Sequence, residues 1–237
     1  VTLDLARRAG AEGVGTAFLV AAVIGSGIAA QRLSPHDVGL QLLENSLVTG
    51  AALVALILAL QPVSAAFNPA VTLVETALRT IPVGDAAVLI AAQLVGGFFG
   101  AIAANLMFHL DAVSIATHRR DGSGRWLGEI IATLGLVLVI FGAARTDRTD
   151  RIAYAVGAYI TAAYWFTSST SFANPAVTVA RMFSNSFAGI APASVPLFVV
   201  MQLTGAALGY LVVRALFPRK HAGQTPTTGP AARRVLP

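Results

Sequence analysis

The five residues Asn-Pro-Ala-Val-Thr occur twice in the chain, at 68–72 and at 174–178. Asn is a strong helix N-cap, because its side-chain oxygen accepts from an amide that the first turn leaves free. Pro fits the first helical position, where a missing N–H costs nothing. Each copy therefore predicts a helix start. Two further polar residues stand out against apolar surroundings, Glu12 and Glu129. A carboxylate there costs several kcal/mol (about 3 on insertion scales) unless it is paired. The second copy runs on as Val177-Thr178-Val179-Ala180-Arg181, and Glu75 takes the place of Arg181 in the first copy, each seven residues after its Asn.

Little else in the chain could do chemistry. There is no Cys, hence no disulfide, thiolate or sulfur metal site. His36, His109, His118 and His221 are scattered and form no metal-ligand or hydrolase spacing. Asp121-Gly122-Ser123-Gly124 is a turn signal. No catalytic residue, metal site or cofactor is predicted.

The elements that must hold these residues follow from composition. The chain is 56% hydrophobic and 11% charged, with a mean hydropathy of +0.73. Soluble domains carry about 25% charged residues, so the solvent is a bilayer. The net charge of +5 is spread over the ends of apolar blocks and makes no basic face for nucleic acid. Blocks near the 20 apolar residues needed to span lie at 10–30, 44–60, 86–110, 126–144, 152–167 and 196–217. The first of these is expected to be an anchor and not a removed signal peptide. The segments after each Asn, 68–78 and 174–183, are too short to span and follow irregular polar runs. They are expected to be re-entrant half-helices, whose loops must be buried in protein or line a wet cavity.

The halves repeat. Each runs Glu, then Asn-Pro-Ala, then Gln-Leu: Glu12, Asn68 and Gln93 in the first, Glu129, Asn174 and Gln202 in the second. Three spans per half invert the second half, which puts the shared site at the midplane. The expected organisation is one channel domain over 1–217, with halves at about 1–115 and 125–217, and a disordered cytoplasmic tail over 218–237. The positive-inside rule places both termini in the cytoplasm. Eleven basic residues (Arg7, Arg8, Arg79, Arg145, Arg148, Arg151, Arg214, Arg219, Lys220, Arg233, Arg234) then lie inside, and Arg32, Arg119, Arg120 and Arg125 outside.

Two inverted three-span halves, each with an Asn-Pro-Ala half-helix and a buried Glu, resemble the aquaporin (major intrinsic protein) family. The resemblance covers the chain to Phe217. It implies an all-α membrane protein, a right-handed bundle of six transmembrane helices plus two re-entrant half-helices with an inverted internal repeat. It also implies a homotetramer in the lipid of the cell's inner membrane, with a pore in each protomer for water or small neutral solutes. Asn68, Pro69, Ala70, Asn174, Pro175 and Ala176 would line the pore, with both Asn amides offered to solute. The paired positive helix ends would repel cations and break a proton wire. Glu12 and Glu129 would brace the half-helix loops, leaving loop carbonyls facing the pore.

Most of the family has Arg directly after the second Asn-Pro-Ala, and this chain has Val177. The resemblance places the rest of the selectivity constriction at Thr49 (or Val48), Tyr164 (or Ala162) and Ser171. This set lacks the Phe-His-Arg of water-selective members and the Asp that marks glycerol facilitators, where Thr178 stands. A wider, less polar constriction is expected, passing polyols or metalloid acids such as arsenous and methylated arsenic acids. Stretches 38–46 and 163–174 also resemble bacterial arsenic-resistance aquaglyceroporins, which implies arsenic efflux. Arg181, one turn beyond Val177, is a candidate displaced arginine of the outer vestibule, and Glu75 its counterpart at the cytoplasmic side. The alternatives are pairing of both with neighbouring helices, a water-selective pore, a non-conducting junctional protein, and a secondary transporter, which would need acidic coupling residues at the midplane.

Overall fold

The computed structural model describes residues 2–218. The 219–237 part of the expected tail lies outside the described residues. Eight α-helices follow in order: α1 (Leu3–Leu33), α2 (Val38–Leu60), α3 (Pro69–Ala77), α4 (Val83–Met107), α5 (Ser123–Arg145), α6 (Ile152–Phe166), α7 (Pro175–Ala180) and α8 (Val195–Leu216). No strand occurs among the described residues.

Five helices, α1, α2, α4, α5 and α8, are long and apolar enough to cross a membrane. The sixth expected span, α6, has 15 residues, extended by a 3-10 turn at Thr149–Arg151. Together they reach roughly 27 Å at 1.5 Å per residue, just short of the hydrocarbon thickness. The first helix starts seven residues earlier than hydropathy alone places it. Arg7 and Arg8 lower the hydropathy there, but they are good helix formers, and Thr2 caps the start by accepting from the Leu5 amide at 3.2 Å. The short helices α3 and α7 begin at Pro69 and Pro175, as the motif predicts, and α7 tightens into a 3-10 turn at Arg181–Phe183.

The long helices pack as two equivalent pairs, α1 on α4 and α5 on α8. Small residues let them approach. A Cβ at Gly96 would lie 2.0 Å from the Gly13 carbonyl oxygen, and one at Gly205 would lie 2.5 Å from that of Ile130. In lipid, where no hydrophobic force drives helices together, such close contact supplies the packing energy. The interior is filled by Leu19, Val20, Val23 and Ile24 of α1 and by Leu136 and Val137 of α5. Phe18, Val95, Phe99 and Leu211 face outward and are more than half exposed, as residues solvated by lipid are.

Candidate functional site: a cavity between the half-helices

The half-helices meet N-terminus to N-terminus. Asn68 caps α3, its Oδ1 accepting from the Ala70 amide at 2.9 Å. Asn174 caps α7, accepting from Ala176 at 3.0 Å and Val177 at 3.2 Å. Each side-chain NH2 then crosses to the other half. Asn68 Nδ2 donates to the Ala173 carbonyl at 2.8 Å, and Asn174 Nδ2 donates to the Phe67 carbonyl at 2.7 Å. The sequence reading offered both amides to solute. One N–H of each is instead committed to the opposite loop, and a second N–H of each remains.

The carbonyls that receive these bonds belong to strained residues. Phe67 and Ala173 both have φ of 49°, a left-handed conformation rare for residues with a Cβ. The buried carboxylates hold them there. Glu12 accepts from Ser64 Oγ at 2.5 Å and the Ala66 amide at 2.8 Å on one oxygen, and from the Phe67 amide at 2.6 Å and Gln93 Nε2 at 2.8 Å on the other. Glu129 accepts from the Phe172 and Ala173 amides, both at 2.9 Å, and from Gln202 Nε2 at 2.5 Å. The glutamines pass the tie onward to Thr72 and Thr178 at 3.0 and 2.8 Å. Both carboxylates are fully buried with both oxygens accepting hydrogen bonds, the condition under which a buried carboxylate is tolerated.

A cavity of about 340 Å³ runs past both motifs. Asn68, Asn174, Thr49, Tyr164, Ser171, Val177, Glu75 and Arg181 all line it. Pro69, Ala70, Pro175 and Ala176 are buried in the half-helices and do not line it. The four constriction candidates therefore share one wall system. Thr49 Oγ1 and Tyr164 Oη are hydrogen-bonded at 3.1 Å. The Ser171 hydroxyl is buried without a partner among the described residues. The alternatives Val48 and Ala162 do not line the cavity.

Arg181 touches the cavity but is not free in it. Its guanidinium carbon lies 3.4 Å from the centroid of the Phe172 ring, and its Nε donates to the Ala188 carbonyl. Arg120, on the segment between α4 and α5, covers the same ring at 5.0 Å and donates to the Gly189 and Phe187 carbonyls at 2.9 and 3.0 Å. Burial, and next the positive charge of Arg181, push the Arg120 guanidinium down to about 9. Glu75 has no hydrogen-bonded side-chain partner among the described residues. Arg8, which lines the cavity with it, is paired with Asp85 at 3.2 Å.

Sequence reasoning missed three residues here. Phe172 lies in the stretch 163–174, just before the second Asn-Pro-Ala, and its stacking on two arginines has no local signal. Arg120 was counted only as a topology charge. Ser64 was part of an irregular run, and its bond to Glu12 spans 52 positions.

The sequence matches the Major intrinsic protein family over residues 1–151 and 147–234. It is 46% identical over 214 residues to aquaglyceroporin AqpS of Rhizobium meliloti, covering 90% of this chain and 91% of that protein. It is 30% identical over 246 residues to aquaporin AqpM of Methanothermobacter thermautotrophicus, covering 90% and 98%. The fold matches that of the aquaglyceroporin from Plasmodium falciparum with a TM-score of 0.68 at 20% identity, covering 90% of this chain and 95% of that one.

Proposed function

The chain belongs to the major intrinsic protein family, and from that premise we propose that it is a passive channel for small uncharged solutes larger than water, metalloid acids and polyols foremost. The carrying observation is Val177. It lies on the cavity wall directly after Asn174-Pro175-Ala176, where a long cation would project into the path. Lining the same cavity are Thr49 and Tyr164, whose hydroxyls are hydrogen-bonded to one another, and Ser171, whose hydroxyl is unpartnered among the described residues. A wall that is mostly apolar with a few hydroxyls suits a hydroxylated neutral solute, which exchanges its water for these groups one at a time.

The half-helix ends supply ion rejection. Each carries roughly half a positive charge at its N-terminus, and the two face the same point of the cavity. A neutral acid passes this field and a cation does not. The second N–H of each Asn is the donor available to solute at that point. The channel is read as one domain over 1–217, assembled as a homotetramer in the inner membrane with both termini cytoplasmic. The skew of Arg7, Arg8, Arg79, Arg145, Arg148, Arg151 and Arg214 to one end of the bundle supports that orientation. Direction of flux follows the solute gradient.

The test is stopped-flow light scattering on proteoliposomes of the wild type and Val177→Arg, with water, glycerol and arsenous acid as permeants. The wild type passes all three, and the variant loses the two larger solutes while keeping water. A wild type that passes water alone, or a variant with wild-type solute flux, places the constriction elsewhere. Saturating flux coupled to a proton or sodium gradient would assign a transporter.

A further inference from the structure

A second cavity, of about 500 Å³, opens at the end of the bundle that carries the start of α1. Three guanidinium-bearing residues from three different elements line it: Arg79 just past α3, Arg145 at the end of α5 and Arg214 in the last turn of α8. Tyr210 lies beside them, its hydroxyl accepting from Arg214 at 3.1 Å, and Phe217 and Pro218 also line the cavity. Among the described residues, no Asp or Glu lines the cavity and none of the three arginines makes an ion pair. Each lies at a helix C-terminus, whose partial negative charge tolerates a cation. That accounts for one arginine per helix. It does not account for three lining one cavity, where like charges raise one another's energy.

The group that would offset these charges is an anion. Residues 219–237 cannot supply it from their side chains, since they hold Arg219, Lys220, Arg233 and Arg234 and no Asp or Glu. The surroundings point to its source. Leu211 and Leu216 of α8, next in sequence to the lining residues Tyr210 and Phe217, are exposed by 58% and 62%. An anion that brings an apolar body of its own matches a lining that combines three guanidiniums with Phe217 and Pro218. We propose that this cavity binds the phosphate of an anionic membrane phospholipid, held by Arg79, Arg145 and Arg214. Arginine forks match phosphate oxygens in pairs, and clustered basic residues at the membrane surface select anionic headgroups. The site does not depend on which solute the channel conducts. It does bear on the channel, because Arg79 directly follows Leu78, the C-cap of the half-helix whose N-cap is Asn68. A bound lipid would pin the outer end of α3.

The test is native mass spectrometry of the full chain in detergent, titrated with phosphatidylglycerol or phosphatidylcholine at equal mole fraction. Phosphatidylglycerol should be retained in preference. Arg79→Gln and Arg214→Gln, both at exposed positions, should each weaken it by about five-fold. Arg148→Gln, on the same side but outside the cavity, should change it less than about two-fold. Equal retention of the two lipids, unchanged binding in the two cavity variants, or an equal loss in Arg148→Gln overturns the proposal. A chase with millimolar inorganic phosphate separates the sources. Lipid that stays bound supports the assignment, and lipid displaced by phosphate overturns the lipid in favour of the free anion.

Discussion

Arg181 lies flat over Phe172, its guanidinium carbon 3.4 Å from the ring centroid, and this contact keeps the arginine against the wall of the cavity it lines. The prediction is that the cation acts on ions through its field without narrowing the path. Arg181→Leu should therefore raise cation leak while leaving glycerol flux within about two-fold, and Arg181→Lys should restore exclusion. Ion currents in planar bilayers beside glycerol flux in liposomes read the two effects separately. Unchanged cation exclusion in Arg181→Leu assigns the residue a purely structural role.

The carboxylates of Glu12 and Glu129 fix loop residues in left-handed conformations that their side chains disfavour. Glu12→Gln turns one acceptor into an NH2 that faces existing donors. It should destabilise the protein by about 1–3 kcal/mol for each amide left unpaired. Glu129→Gln should do the same in the other half. Thermal unfolding in detergent checks the stability. Solute flux of the folded fraction should also fall, because the Phe67 and Ala173 carbonyls would lose their aim at the opposite Asn.

The α1–α4 contact leaves no room for a side chain at Gly96. Gly96→Ala puts a methyl group 2.0 Å from the Gly13 carbonyl oxygen, against backbone that has nowhere to go. Overpacking of this kind costs about 1–3 kcal/mol or more. Gly10→Ala, on the same helix pair but with nothing within 4 Å of the new methyl, should be neutral or stabilising by up to about 1 kcal/mol. The difference in thermal midpoint between the two variants is the measurement.

Asp121 ties the segment between α4 and α5 to the turn before α8. It accepts from Ser194 Oγ at 2.6 Å and from Arg119 at 2.7 Å, and these bonds hold its carboxyl below the ordinary 3.8. A depressed folded value means the tie is fully present above the unfolded value and is lost as pH falls through the folded one. Between about pH 6 and about pH 3, hydrogen exchange across 186–195 should therefore show a step in the wild type that Asp121→Asn lacks. Identical pH profiles would show that the tie does not govern the opening of this segment.

The sequence alone determined the class, the six spans, the two half-helices and their caps, because each is written locally. Hydropathy over about 20 residues, Asn before Pro, and the order Glu, Asn-Pro-Ala, Gln need no knowledge of distant partners. The family resemblance grouped Thr49, Tyr164, Ser171 and Val177, and all four line one cavity. Where hydropathy was the only guide, at the starts of α1 and α2, the boundaries moved, since capping and propensity and not transfer energy decide where a helix begins. Only the tertiary structure decided what the side chains do with their polar atoms. Asn68 could have offered both amide protons to solute, but one goes to Ala173, 105 residues away. Arg181 could have pointed into the path, but Phe172 and the Ala188 carbonyl hold it to the wall. The three arginines of the second cavity are 66 and 69 residues apart in sequence (145 − 79 and 214 − 145) and become one site only when three helices end at the same place. Such choices depend on which partner is nearest in space, and a covalent string of residues does not carry that distance.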